Sequence, residues 1–168
     1  YGLIAEYDAS EDAYDVLANF MGPFSLHAVM ARALKVPGSR LRLRTPPDSG
    51  GSFGVKQGVF PYIVLMSVAA RIAGRPVKWI EDRLEHLAVG GQAREEGADI
   101  EAAVSADGLL LALRMDAKLN LGAYGCDPFN GAIFVGSLSS AFQGPTRIEG
   151  IAAQNTVVFS NKATYVSY

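Results

Sequence analysis

Metal and disulfide chemistry have little to work with in this chain: its 168 residues include one cysteine, Cys126, and two histidines, His27 and His86. A single thiol excludes an intrachain disulfide framework and any zinc or iron–sulfur site built from several cysteines. The histidines are isolated, without ligand-type spacing to a carboxylate or to each other, which argues against a zinc site. A surplus of one charge is also missing. The 15 Lys and Arg stand against 17 Asp and Glu, a formal net charge of −2, so nothing electrostatic favours nucleic acid. The longest apolar stretches read as too short to span a membrane, and no charged leader opens the chain. What is present is a 49% hydrophobic composition, and a compact chain of this length buries roughly 70% of its unfolded surface without staples. Both ends lie in β-prone sequence, Gly2-Leu3-Ile4 and Thr164-Tyr165-Val166. The expectation is therefore a cytoplasmic, single domain over 1–168, cut from a longer polypeptide.

Periodicity orders the chain. Residues 2–8 and 14–20 read as two strands of a hairpin around a turn at 9–12. Residues 24–34 carry apolar side chains at helical spacing, with Pro37-Gly38 as the stop. Leu41 and Leu43 alternate with Arg40, Arg42 and Arg44, a strand with one wet, basic face suited to a subunit contact or a solvated edge. Residues 59–73 are apolar nearly all round, with Pro61 near the start and Gly74 at the end, which predicts a central core helix. A strand comes next at 76–80, then a short charged helix or turn at 81–87, and loop at 90–97. Asp107-Gly108 divides strands at 100–104 and 109–121, small residues leave room for a short helix at 132–139, and 148–160 returns to strand. The order predicts a mixed α/β or α+β domain.

The segment 48–57 is where chemistry is expected. Gly50, Gly51 and Gly54 permit positive φ and close approach of a ligand to the main chain. The helix after it directs its first N–H groups and positive dipole end at the loop, which suits an anionic group. Two familiar phosphate loops fail the comparison: Lys56 lies between Val55 and Gln57 rather than in Gly-Lys-Ser/Thr, and the glycines lack G-x-G-x-x-G spacing. Phe53, a large ring in such a turn, is expected to fill a pocket. A plain turn in a non-catalytic α/β interaction module, or a small-anion-binding loop, stands as the alternative.

Gly50-Gly51-Ser52-Phe53-Gly54-Val55-Lys56 resembles the GG-x-FG-x-K loop of the molybdenum hydroxylases, the family of xanthine dehydrogenase, aldehyde oxidase and aerobic carbon monoxide dehydrogenase. Three further segments agree in order. Gly74-Arg75-Pro76-Val77-Lys78-Trp79-Ile80-Glu81-Asp82-Arg83 is similar to the family's GRPVK-W-EDR segment, Gly122-Ala123-Tyr124 to its GAY element, and Asn161-Lys162-Ala163 to its NK-x element. The resemblance covers almost the whole chain. It implies a mixed-sheet domain packed with helices, the N-terminal part of the molybdopterin-binding region of a large subunit. It also implies a molybdenum–pyranopterin cofactor, hydroxylation of a small substrate (aldehyde, N-heterocycle, purine or CO) with water oxygen, and electron transfer to 2Fe-2S and FAD groups on partner domains or subunits. Carried over by position, Gly50, Gly51, Ser52, Phe53 and Gly54 become cofactor-site residues. So do Met21 and Gly22, at the strand end where the family commonly places a Gln. A thioether accepts hydrogen bonds weakly and donates none, so Met21 departs from that pattern, with plain core packing as its other reading. The resemblance places the glutamate base, and an arginine-containing segment, beyond Tyr168. No catalytic residue or metal ligand is then expected within the chain, and the piece alone should neither hold the cofactor tightly nor turn over.

Other polar residues have plainer readings. Glu81, Asp82, Arg83 and Glu85 are expected to form a charged turn with local ion pairs of about 0.2–1 kcal/mol each. Cys126, between Gly125 and Asp127, reads as an unreactive loop thiol.

Overall fold

A computed structural model describes residues 1–93, 95–125 and 130–166, so Cys126 lies outside the described residues. The chain expected to form one domain divides into two compact units, Tyr1–Gly91 and Gln92–Val166. The secondary structure mixes helices and sheets in both, as an α+β class requires.

In the first unit, strands β1 (Gly2–Asp8) and β2 (Ala13–Ala18) pair antiparallel, Leu3 opposite Ala18 and Asp8 opposite Ala13. The Asp8 carboxylate closes their turn by accepting from the Ser10 N–H and hydroxyl, at 2.8 and 2.6 Å. Helix α1 (Pro23–Ala33) crosses back to β3 (Leu41–Arg44), parallel to β2. Helix α2 (Phe60–Ala73) then leads to β4 (Val77–Ile80), antiparallel to β1, giving the order β3-β2-β1-β4. Alternation sends Leu3, Ala5, Tyr14, Val16, Ala18 and Leu41 to one face, where they meet Leu26 and Met30 of α1 and Ile63 and Ala70 of α2.

The helix boundaries have local causes. Pro23 and Pro61 occupy first-turn positions, where a missing N–H costs nothing. Gly74 ends α2 at φ 61°. Helix α1 stops before the Pro37-Gly38 pair expected to end it. Lys35 turns left-handed at φ 59°, and the Val36 N–H reaches back to the Ala31 carbonyl at 3.0 Å. A 3₁₀ turn over Val55–Val59 precedes α2 and lengthens the helical run to Val55–Ala73, 19 residues with a mean hydropathy of 1.2. By length and composition that run could cross a membrane, which corrects the expectation that no apolar stretch suffices. Val59, Ile63, Ser67 and Ala70 of this run are wholly buried in the first unit, whereas Leu65, Val68 and Ile72 are exposed.

Helix α3 (Arg83–Val89) carries a capping box: Asp82 accepts from the Glu85 N–H at 2.8 Å, and Glu85 from the Asp82 N–H at 2.9 Å. Glu81 is not the exposed charge expected. Its side chain is fully buried against the Tyr1 nitrogen at 2.7 Å and His86 Nδ1 at 2.9 Å. The Arg stripe is partly compensated: Arg40, in the 3₁₀ turn just before β3, meets Asp12 at 2.8 Å, while Arg44 and Arg42 of β3 share Asp15 at 2.7 and 3.8 Å.

In the second unit, β5 (Glu96–Val104) and β6 (Leu110–Asn120) form a hairpin with Gly108 at φ 90°. Helix α4 (Asn130–Ala141) carries the chain to β7 (Gly150–Val158), parallel to β6. Strand β5 starts inside the expected loop at 90–97 because pairing recruits Glu96 opposite Leu119 where no apolar alternation marks a strand. Leu119, Leu121 and Tyr165 form a small core against Phe134 and Val135.

Truncating Ile63 to Ala should cost about 2–5 kcal/mol of unfolding free energy. The same truncation at the 82%-exposed Ile72 should stay within about 0.5 kcal/mol. Urea titration of the two variants measures the contrast.

Candidate functional site

The glycine loop runs from the end of β3 into the 3₁₀ turn ahead of α2. Gly50 at φ 71°, Phe53 at φ 49° and Gly54 at φ 92° are left-handed, so the backbone reverses repeatedly over five residues. For Phe53 this conformation stores roughly 1–3 kcal/mol that a glycine would not incur. Ser52 organises the start of the helical run. Its carbonyl accepts from the Val55 N–H at 3.1 Å and its hydroxyl from the Lys56 N–H at 3.1 Å, while the Gly54 carbonyl accepts from Gln57 at 3.0 Å. The first amides of that run are therefore engaged, where the sequence led us to expect them free for an anion. The unengaged donors lie one step earlier: among the described residues, none of the amides of Gly50 to Gly54 donates a hydrogen bond.

Phe53 differs from expectation too. Its ring is 80% exposed and fills no pocket within the described residues, since Ser52 and Gly54 offer it nothing to pack on. A strained backbone thus holds a bare aromatic ring beside a row of open N–H groups.

Two neighbours anchor this loop. The Tyr1 hydroxyl donates to the Val55 carbonyl at 2.9 Å, and the Met21 N–H to the Lys56 carbonyl at 3.5 Å. The structure therefore brings the Met21 main chain to the 3₁₀ turn that follows the glycine loop, 35 positions on in the sequence, with Gly22 next to it in the chain. Met21 is half-buried and outside the first unit's core cluster. Gly22, at φ 73°, has Ser25 Oγ only 2.9 Å from where a Cβ would sit. Asn19 fixes the strand end, exchanging hydrogen bonds with Gly2 at 3.0 and 3.2 Å.

The remaining motif segments have structural partners. Trp79 stacks on Tyr62 of α2, ring centroids 4.6 Å apart. In the second unit, Gly122-Ala123-Tyr124 lies against Asn161-Lys162-Ala163: the Ala123 N–H donates to the Lys162 carbonyl at 2.9 Å and the Ser160 N–H to the Gly122 carbonyl at 3.0 Å. Gly122 is at φ 75°, and a Cβ there would sit 2.2 Å from the Ala163 carbonyl oxygen. Asn120 Oδ1 accepts from the Gly122 N–H and the Ser160 hydroxyl, both at 2.9 Å, while its Nδ2 donates to Glu95 at 2.8 Å. Lys162 pairs with the same carboxylate. Hydrogen bonds from Lys162 and then Asn120 hold the Glu95 carboxyl below its ordinary value of 4.5, against a smaller opposing effect of desolvation. Glu95 and Asn120 escaped the sequence reading, because the pairing of β5 with β6 brings them together and no local spacing marks it. His27 Nε2 lies 2.8 Å from the Leu41 carbonyl, tying α1 to β3.

A family model described as a molybdopterin cofactor-binding domain matches residues 1–168. The gamma subunit of the 6-hydroxypseudooxynicotine dehydrogenase complex of Paenarthrobacter nicotinovorans is 37% identical over 142 residues, which cover 83% of this chain and 17% of that protein. The carbon monoxide dehydrogenase large chain of Hydrogenophaga pseudoflava is 34% identical over 123 residues, 73% of this chain and 15% of that one. Among solved structures, quinoline 2-oxidoreductase from Pseudomonas putida 86 matches with a TM-score of 0.88 and 26% identity, over 99% of this chain and 21% of that chain. Aldehyde oxidoreductase from Desulfovibrio gigas shares the fold, with a TM-score of 0.85 at 20% identity over 99% of this chain and 18% of that chain. The chain thus spans only 15–21% of the length of these relatives.

Replacing Gly122 by Ala adds a backbone clash to an unfavourable φ, and should cost more than about 3 kcal/mol. Gly108, at φ 90° with nothing within 4 Å of its would-be Cβ, should cost only about 1–2 kcal/mol on the same change; equilibrium denaturation separates the two. Glu95 gives a pH signature. Its lowered folded pKa stabilises the chain above pH 4.5, and that contribution is lost as pH falls through the folded value. Thermal melts of Glu95→Gln should therefore lose less stability than wild type on acidification below that point.

Proposed function

The chain belongs to the molybdopterin cofactor-binding domain family, and from that membership we propose that it supplies one wall of the molybdenum site in a larger oxidoreductase. Both units would be parts of one molybdopterin-binding region, toward the N-terminal side of a large subunit. The observation that carries this reading is the glycine loop. Gly51 has no positive φ, and a Cβ there would meet nothing within 4 Å. Nothing among the described residues demands a glycine at 51, which is what close approach by a separate molecule would demand.

The donor set fits an anionic pterin cofactor. Unengaged amides from Gly50 to Gly54 can donate to phosphate or oxo oxygens without breaking any bond of the fold. The exposed Phe53 ring would supply an apolar wall that keeps water from that side. Met21 and Gly22, held through the Lys56 carbonyl, complete the neighbourhood with a thioether that can pack but cannot donate. When bound, the cofactor supplies two-electron oxidation of a carbon centre, with water as the source of oxygen. The proton-accepting glutamate would come from elsewhere in the subunit, so these 168 residues would bind and shield rather than catalyse, and would be inactive alone.

The parent reaction we propose is oxidation of a small substrate in the aldehyde, N-heterocycle, purine or CO class, with electrons leaving through 2Fe-2S and FAD partners in the cytoplasm. Names such as nicotine 6-hydroxylase and carbon monoxide dehydrogenase among the relatives support that range.

In the full-length enzyme, Gly51→Ala should lower molybdenum per polypeptide several-fold while leaving unfolding free energy within about 0.5 kcal/mol of wild type. Elemental analysis beside a denaturation curve measures both. Undiminished molybdenum would remove the loop from the cofactor site.

A further inference from the structure

Lys56 is an ammonium group without a counter-ion among the described residues, placed over the glycine loop. Its Nζ lies 3.5 Å from where a Cβ on Gly50 would sit, and the residue is half-buried. Arg40, Arg42, Arg44 and Lys162 each pair with a carboxylate. Lys56 has no such partner among the described residues, and its Nζ makes no hydrogen bond there. A cation partly withdrawn from water gains most when an anion is brought to it.

The main chain of Lys56 is already committed. Its N–H donates to Ser52 Oγ at 3.1 Å and its carbonyl accepts from Met21 at 3.5 Å, and neither bond needs the side chain. The ammonium is therefore the one part of the residue without a structural task, and it stands beside Gly50, the first residue of the loop whose amides are left open.

We infer that Lys56 supplies the counter-charge for an anionic oxygen of the group bound at this loop, at either its phosphate end or its metal end. The inference rests on the loop's proposed role in cofactor binding. Amides orient such an oxygen through short, directional bonds; the ammonium contributes a flexible point charge, which glutamine of similar length cannot supply.

The test uses the full-length enzyme carrying Lys56→Gln, Lys56→Arg or Gly51→Ala, with molybdenum measured by elemental analysis and pterin by fluorescence after oxidative release. Lys56→Gln should retain about tenfold less cofactor, with a deficit that Lys56→Arg largely restores, and the melting temperature of the cofactor-free protein should not move. Joint loss of molybdenum and pterin assigns the charge to the phosphate end. Loss of molybdenum with pterin retained assigns it to the metal end. Wild-type content in Lys56→Gln alongside depletion in Gly51→Ala overturns the role of Lys56 and leaves the loop reading intact. Equal depletion in Lys56→Gln and Lys56→Arg overturns it as well, because charge would then not matter. Full content in all three variants removes the loop reading together with the inference.

Discussion

The leading amides of a helical run have no partner within it, and here Ser52 accepts from two of them. Its carbonyl and hydroxyl engage Val55 and Lys56, which starts the 3₁₀ turn and aims α2 into the sheet. The same residue determines what stays open. Because Ser52 and Gly54 accept from the first amides of the helical run, the unengaged amides are those of the loop before it, and Phe53 is left in a conformation that few side chains adopt. Packing of α2 and presentation of the loop are thus one constraint seen from two ends: the core stabilises the helix, and the helix start stabilises an otherwise costly loop.

The second unit solves a comparable problem by backbone contact. Gly122 lets two chain segments approach more closely than a side chain would permit, and the Asn120–Glu95–Lys162 network holds them there. Asn120 serves at once as acceptor for a glycine amide and as donor to a carboxylate. At the exposure of its two side chains the Glu95–Lys162 ion pair itself contributes little, so the close backbone approach at Gly122 is what fixes the arrangement.

Much of this was legible in the sequence where the signal was local. The hairpin at 2–18, helix α2 with Pro61 and Gly74 at its ends, and the Asp107-Gly108 turn come from spacing and turn chemistry alone. The unusual backbone of the glycine loop was legible from its glycines, whose left-handed turns at Gly50 and Gly54 the structure shows. The features that escaped were set by contacts distant in sequence. Glu81 is buried against Tyr1, 80 positions away, and the partial compensation of the Arg40–Arg44 stripe comes from carboxylates about 28 residues earlier, as in the Arg40–Asp12 pair. The open amides were assigned to the wrong residues because the helix was taken to start directly, and an intervening 3₁₀ turn cannot be read from hydrophobic period.

Strand β5 forms one border of the three-stranded sheet, and all nine of its residues are exposed. Among the described residues no further strand pairs with this border, which leaves main-chain groups open to one. Glu96 and Asp99 lie along it, while Glu101 is paired with Arg114 of β6 at 3.7 Å, so two identical borders brought together would set the acids Glu96 and Asp99 against each other. Zipping of copies through this rim is disfavoured by its own electrostatics, and a docking strand would have to arrive with basic side chains of its own.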